Sequence, residues 1–417
     1  MTDSLSRCLS IGDLHARARR YLPRVIFDYL EGGTDDEEAL AFNHDRLRQY
    51  KLRPRYLVDV SARSHAVTLF GQSYDLPFGI SPMGMLSMVR HDGDILLAQA
   101  AAQARIPFIL SGASNASIER TVQAAPGSWW QFYPCKDLAM ERDLLDRAAA
   151  AGVPTLVLTV DVPVLSKRER NIRSGWVRPY KPTPAVILEA MKHPAWVAAY
   201  LRHGLPMMEN FQKYAPAGTA ARPLTSFYAS QVPTAQHWPL VERIRRHWKG
   251  NLVLKGIMSA EDASLAADAG ADGVIVSNHG GRQLDRGMAA IDALPEVADA
   301  VGGRIAVMFD SGIRRGSDIA VAMSLGAKFC FIGRGAAYAL AASGLPGVKR
   351  AIDILRGELD LVLGQVGCPA AAGLGRGNLW NPPAAGAEAP HRASGSVPFA
   401  PSRASASSLP HSAQMGA

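Results

Sequence analysis

Gly273-Val274-Ile275-Val276-Ser277-Asn278-His279-Gly280-Gly281-Arg282-Gln283-Leu284-Asp285 is the stretch that decides how this chain folds. Its first four residues are an apolar, β-branched run, the pattern of a strand buried on both faces. A His and an Arg then leave the strand tip three positions apart, beside two glycines. A proton acceptor and a fixed cation at that spacing reach one small anion. The glycines let backbone approach a ligand closely. A lone histidine at a strand end is usually a satisfied polar residue, but His, Arg, Asn, Gln and two glycines together make a poor core. The cluster therefore reads as a site.

The same grammar runs outward in both directions. Apolar runs predict strands over residues 78–81, 108–111, 129–132, 155–160, 252–255, 273–277, 305–309 and 329–332. Alanine-rich helical stretches separate them, at 92–104, 138–151, 260–269 and 318–325. Gly152, Gly270 and Gly326 stand where helix C-caps are expected. Strand–helix units in succession imply a parallel sheet with right-handed crossovers, and eight strands close a barrel. The expected fold is an α/β (β/α)8 TIM barrel. A doubly wound sheet would want a glycine-rich dinucleotide loop after its first strand, and Ser81-Pro82-Met83-Gly84-Met85 is not one.

Polar residues gather at the predicted strand ends: Gln131 and Tyr133, Thr159 and Asp161, Lys255, Ser277 and His279, Asp310 and Gly312, Gly333 and Arg334. Carboxyl ends of barrel strands share one face, where active sites form.

Composition narrows the class. The 417 residues are 48% hydrophobic and 20% charged, as in ordinary globular proteins. Four scattered cysteines without a C-x-x-C indicate neither a zinc ribbon nor a disulfide framework, and no metal site is expected. The polar N-terminus has no apolar core of a signal peptide, so a reducing cytoplasm is expected. The net charge of +8 is not gathered into a basic run with interleaved aromatics, so nucleic acid is not the expected partner. An anionic substrate, a phosphate cofactor or an anionic membrane face suits it better.

Domain organisation follows. Residues 1–65 form an N-terminal helical cap, with one or two helices over 14–31 and a side chain within reach of the barrel mouth. Residues 66–76 read as a β-hairpin plug. The barrel occupies 66–370, interrupted by an insertion over 170–236. Residues 371–417 turn to Ala, Pro, Ser and Gly and are expected to be a disordered tail.

Motifs in matching order over about residues 10–370 carry a resemblance. They are Phe27-Asp28-Tyr29, Trp130-Gln131-Phe132-Tyr133, Leu158-Thr159-Val160-Asp161, Arg168-Glu169-Arg170, Leu254-Lys255-Gly256, Ser277–Asp285, Asp310–Gly316 and Ile332-Gly333-Arg334. The chain resembles the FMN-dependent α-hydroxy-acid dehydrogenase and oxidase family, in its L-lactate and (S)-mandelate dehydrogenase branch. The resemblance implies oxidation of a small L-2-hydroxy acid, lactate or mandelate-like, to the 2-oxo acid. It makes His279 the general base and Asp161 the residue that orients it. Arg168 and Arg282 would clamp the carboxylate, and Tyr29 and Tyr133 would hydrogen-bond the substrate.

The same resemblance places FMN. Lys255 would sit near the flavin N1, where reduction builds negative charge. Gln131, Thr159, Ser277 and Ser111 would bind the isoalloxazine edge, and Pro82-Met83-Gly84 would pass under the ring. Asp310 and Ser311 would face the ribityl hydroxyls. Gly312, Arg314, Gly333 and Arg334 would hold the phosphate. Gly112 and Ala113 are small where some relatives carry Ser and Trp, leaving room for a substrate side chain. Gly84 resembles the dehydrogenases, whereas oxidases more often carry Ala.

The insertion resembles the membrane-associating segment of the mandelate branch. Residues 184–208 carry Trp196, Tyr200 and Leu201 with Lys192 and Arg202, and Arg178 and Lys181 stand just before them, the composition of an interfacial anchor. A lid packed on the protein or on a neighbouring subunit is the alternative. The expected acceptor is a membrane quinone, the expected location the inner face of the cell membrane, and the expected assembly a homotetramer. An oxidase making hydrogen peroxide is the rival within the class. A non-catalytic flavin-binding protein is the rival outside it.

Overall fold

The computed structural model describes residues 5–176, 183–231 and 236–380. Eight parallel strands form the ring: β1 (Phe78–Ile80), β2 (Ile109–Leu110), β3 (Trp129–Phe132), β4 (Thr155–Thr159), β5 (Asn251–Ile257), β6 (Gly273–Val276), β7 (Ala306–Phe309) and β8 (Phe329–Ile332). Neighbours in sequence are neighbours in the sheet, and β8 pairs with β1. A parallel bridge between Ile80 and Phe108 closes the barrel. Each strand lies on the apolar run expected for it. The strands are buried on both faces, which is why they read as continuous rather than alternating apolar runs.

The expected hairpin is present. Strands Val67–Leu69 and Gln72–Tyr74 pair antiparallel. Phe70, at their turn, packs 5.8 Å from Trp129 and lies against Gly273, the first residue of β6. The plug therefore closes the amino end of the barrel and leaves the carboxyl end for the site.

Three helices make the cap: α1 (Ile11–Tyr21), α2 (Arg24–Glu31) and α3 (Glu38–Gln49). A capping box starts α1, with Ser10 and Asp13 satisfying each other's backbone N–H. Pro23 separates α1 from α2, so the predicted 14–31 stretch is two helices. Asp285 accepts the N–H groups of Asp36 and Ala39 at 3.0 and 3.1 Å. Asn278 and Asn43 exchange amide hydrogen bonds at 2.9 Å. These two residues of the opening motif hold the cap, not a ligand.

The barrel helices are α4 (Gly93–Gln103), α5 (Ile118–Ala124) and α6 (Leu138–Ala150), then α11 to α14 (Trp238–His247, Ala260–Asp268, Ala290–Val301, Gly316–Ser324), and α15 (Arg334–Gln365), broken at Ser343-Gly344. The insertion supplies α7 (Glu169–Arg173), α8 (Pro184–Ala190), α9 (Pro194–His203) and α10 (Ala221–Gln231). Proline opens both α8 and α9, where a missing N–H costs nothing.

Two expectations need correction. Residues 371–380, assigned to the tail, are folded: Leu379–Trp380 pair antiparallel with Lys51–Leu52, and Leu374 and Leu379 are buried. Two leucines give this segment enough apolar surface to dock, despite its Gly and Ala content. The rest of the tail, 381–417, lies outside the described residues, as do Arg178 and Lys181. Trp196, expected as a membrane anchor, turns inward. Its indole N–H donates to the Met88 carbonyl at 2.9 Å, and its ring stacks on Tyr200. No helix among the described residues is long and apolar enough to cross a membrane.

Candidate active site

A cavity of about 370 Å³ opens at the carboxyl ends of the strands. Every sequence-predicted site residue lines it except Asp161 and Ser277, which stand behind residues that do. The loop after β1 supplies Pro82, Met83 and Gly84, and Tyr29 reaches in from α2, its hydroxyl donating to the Gly84 carbonyl at 2.9 Å. Tyr133 comes from the end of β3.

His279 and Asp161 form the centre of the site. Asp161 Oδ1 lies 2.9 Å from His279 Nδ1. With Nδ1 donating to the carboxylate, Nε2 is the nitrogen that can accept a proton. His279 has φ 57°, and Gly280 and Gly281 follow at 65° and 74°, a left-handed run that swings the imidazole back over the barrel mouth. Non-glycine residues rarely adopt this conformation, and where they do the strain often marks a functional position. Gly281 has no alternative, because a Cβ there would meet the α3 backbone at Leu40 at 2.5 Å.

Burial pushes the His279 imidazole below its ordinary value, and Asp161 pulls the other way. Burial would raise Asp161, but the charges of His279 and Lys255 outweigh it and hold the carboxyl below its usual range. The pair is thus poised as an uncharged imidazole backed by a carboxylate.

Four guanidinium groups converge on the cavity: Arg168, Arg282, Arg314 and Arg334. Arg168 donates to Gln283 Oε1 at 3.0 Å and to Ser166 Oγ at 3.2 Å. Arg282 donates to the Gly32 carbonyl and lies over the Tyr29 ring, 5.6 Å from its centre. Burial, then Arg168 and Arg334, push Arg282 well below the usual arginine range. A guanidinium does not give up its charge in a protein, so crowding of this kind is relieved by an anionic ligand.

The cofactor side is equally defined. Gln131 Oε1 accepts from Gly112 N at 3.0 Å and from the Ser111 hydroxyl at 3.3 Å, which fixes the amide. Its Nε2 and the Thr159 hydroxyl are buried without partners. Buried polar groups are normally satisfied, so these two await the edge of a polar ligand. Lys255 donates to Ser277 Oγ at 2.8 Å and lies 3.2 Å from Asp310. Asp310 also accepts from the Ser81 and Ser311 hydroxyls, at 3.2 and 3.0 Å.

At the other end, Gly312 has φ 93° and its absent side chain would collide with Leu47. A Cβ on Gly333 would meet nothing closer than 3.8 Å, so backbone there is open to a ligand at the start of α15. Arg334 spends three donor nitrogens on the carbonyls of Leu30, Gly280 and Gly32, at 3.0, 2.9 and 3.0 Å. It braces the cap loop, and Arg314 has the less engaged guanidinium. Burial, then Arg314 and Arg334, push nearby His44 down to about 4, so it adds no charge at neutral pH.

Sequence reasoning missed Tyr228 and Ala229, which α10 brings to the cavity, and Ile172 beside Arg168. The spacing Leu224–Tyr228 was a signal that α10 has a buried face, but nothing local says against what.

A parallel barrel with a base–carboxylate pair, an arginine cluster and an unsatisfied polar wall at one mouth defines an enzyme site for an anionic substrate beside a polar ligand. The FMN-dependent dehydrogenase profile matches residues 18–381. L-Lactate dehydrogenase from Caulobacter vibrioides (strain NA1000 / CB15N) is 42% identical over 363 residues, 86% of this chain and 94% of that protein. (S)-Mandelate dehydrogenase from Pseudomonas putida is 37% identical over 374 residues, 89% of this chain and 94% of that one. The crystal structure of a monotopic membrane protein, (S)-mandelate dehydrogenase, superposes with a TM-score of 0.86 at 36% identity, covering 90% of this chain and 100% of that one. The chain belongs to the FMN-dependent dehydrogenase family, and its cofactor is FMN.

Proposed function

We propose that this protein oxidises an L-2-hydroxy acid, lactate or an aryl acid such as mandelate, to the 2-oxo acid, and passes the electrons to a membrane quinone. The observation that carries this reading is the His279–Asp161 pair facing the same cavity as Arg168 and Arg282.

The geometry supports these roles. Arg168 and Arg282 hold the carboxylate of the substrate, and Tyr29 and Tyr133 hydrogen-bond its carboxylate and hydroxyl. His279 Nε2 takes the hydroxyl proton, and Asp161 stabilises the imidazolium that results. FMN, when bound, accepts the two electrons. Gln131 Nε2, Thr159, Ser111 and Lys255, itself held by Ser277, would hold its ring. Pro82, Met83 and Gly84 would support it, Asp310 and Ser311 would hold the ribityl chain, and Gly312, Arg314, Gly333 and Arg334 would hold the phosphate. Small residues at Gly84 and Ala113, and apolar ones at Val162, Leu165 and Ile172, leave the substrate side chain an apolar compartment.

The insertion 184–208 supports contact with the inner face of a cell membrane. Leu188, Met191 and Leu201 are 67%, 66% and 76% exposed, with Lys192 and Arg202 also exposed beside them. Exposed apolar residues with basic neighbours suit an anionic lipid surface. These leucines and Met191 replace the inward-turned Trp196 as the anchor. The reading includes a homotetramer, which sedimentation velocity tests.

The decisive experiment is anaerobic bleaching of the bound flavin by a panel of 2-hydroxy acids, followed by oxygen or by a quinone. Bleaching by L-lactate or (S)-mandelate, with slow reoxidation in air and fast reoxidation by quinone, is expected. Stoichiometric hydrogen peroxide would make the protein an oxidase. Bleaching by no hydroxy acid would remove the reading.

A further inference from the structure

A second cavity, of about 310 Å³, lies between the insertion and the barrel. It is lined by α9 (Trp196, Ala199, Tyr200, His203), by Tyr21 of the cap, and by the loops that follow β1 and β2. None of the catalytic or FMN-facing residues belongs to it.

Its walls are flat. Trp196 and Tyr200 stack with ring centres 5.3 Å apart and planes 12° apart. His91 and His203 stack at 3.6 Å and 11°. The Arg90 guanidinium covers Tyr21, 4.4 Å from its ring centre. Parallel π surfaces favour a flat ring as occupant. Of the charged lining groups, Arg120 pairs with Asp92 and Glu209, and Arg90 donates to the Leu340 and Ala341 carbonyls. The hydroxyls of Tyr21 and Tyr200 and the His203 ring hydrogen-bond to no described residue. Each can donate to a carbonyl oxygen.

The position of the cavity adds to its chemistry. Two loops separate it from the active-site cavity. In the first, Gly84 faces the active site, while Ser87 and Met88 face the second cavity; in the second, Ala113 faces the active site, while Asn115 and Ala116 face the other. The far wall is α9, where Tyr200 lines the cavity and its neighbour Leu201 is exposed. A flat ring held here lies across these two loops from the flavin site and beside the face offered to lipid.

We infer that this second cavity binds the head ring of the acceptor quinone, between the stacked aromatic pairs, with its carbonyl oxygens toward His203 and the tyrosine hydroxyls and its apolar tail leaving along α9. The inference rests on the quinone reading above. The exchange balances without a further reactant. The hydroxy acid loses two electrons and two protons as its C–H and O–H bonds break, and the quinone gains two electrons and two protons as two O–H bonds form. The donors here sit where those oxygens are protonated.

The test uses the FMN-loaded enzyme, ubiquinone-1 and a soluble dye acceptor. Ala199→Trp fills the cavity, and His203→Leu removes a donor while keeping most of the volume. Both variants should bind ubiquinone-1 about tenfold more weakly by calorimetry on the oxidised enzyme without substrate, a loss of the size expected for one hydrogen bond or a blocked slot. Both should raise the KM for ubiquinone-1 and leave dye-linked kcat and the KM for hydroxy acid unchanged. If Ala199→Trp loses FMN, His203→Leu decides alone. Unchanged ubiquinone-1 binding in the variants, or simple competition between ubiquinone-1 and the 2-oxo acid product, would overturn the inference and place the quinone in the active-site cavity. Failure of any hydroxy acid to bleach the flavin is a separate result, and it removes the function itself.

Discussion

A Cβ on Gly256 would lie 2.5 Å from the Cβ of Asp161. Gly256 sits at a register shift in β5, between Lys255 and Ile257, with φ 106°. Bulges beside active sites re-aim side chains, and this one makes the space that lets the Asp161 carboxylate reach His279. The alignment of the base thus depends on a residue of the neighbouring strand. Gly256→Ala should displace Asp161 and strain the backbone. A misplacement of about 1 Å costs on the order of 10²-fold in rate, and kcat should fall by about that much with FMN retained. Steady-state kinetics and the flavin spectrum check it; an alanine variant with full kcat would show that the space is not needed.

His279→Gln should keep FMN and still bind the 2-oxo acid, yet lose turnover by ~10²–10⁴ or more, the usual cost of removing a general base. Stopped-flow flavin reduction under anaerobic conditions is the measurement. Reduction at the parental rate would assign the base elsewhere.

Asp161→Asn acts on the same pair with a defined sign. Burial depresses the His279 imidazole and Asp161 partly restores it. Removing the carboxylate should therefore move the acid limb of the kcat/KM profile to lower pH, because the neutral base persists further into acid. The plateau should drop by roughly 10² or more, since the imidazolium loses its partner. An acid limb that moves to higher pH would contradict the assigned electrostatics.

Arg282→Lys keeps a charge but loses the planar fork that faces the cavity, and both KM and kcat should worsen. The comparison is between a 2-hydroxy acid and its uncharged amide. If the variant discriminates between them as well as the parent does, Arg282 does not read the carboxylate.

Liposome flotation tests the insertion. The protein should float with anionic vesicles and less well with neutral ones, and Leu188→Asp with Leu201→Asp should release it while dye-linked activity survives. Trp196→Ala should affect binding less, because its indole is engaged with Met88. Equal flotation of parent and double variant would make the exposed leucines irrelevant to lipid.

Much of this was legible in the residues. Period and punctuation alone place the eight strands, because a strand buried on both faces must be apolar throughout and the glycines that end helices carry left-handed backbone. The polar residues at the strand ends could be collected onto one face before any coordinates, since parallel strands share a carboxyl end. Less was legible where role depends on a partner far away in the chain. Asp285 and Asn278 belong to the same motif as His279, but their partners Asp36, Ala39 and Asn43 are more than two hundred positions distant, and they moor the cap.

Local periodicity in the chain was enough for the barrel and for the gathering of polar residues at the strand ends, because both follow from residue types at fixed spacings; the flavin-dependent class and the roles of His279, Asp161 and the arginines came from the resemblance of whole motifs to a family. Only the tertiary structure decided that Asp161 reaches His279 through the gap at Gly256, that Arg334 braces backbone carbonyls, and that Trp196 faces inward while Leu188 and Leu201 face out. The physical reason is reach. Hydrogen bonds and close packing act over a few ångströms, between residues the chain brings together only when it closes on itself, and no spacing along the sequence encodes that meeting.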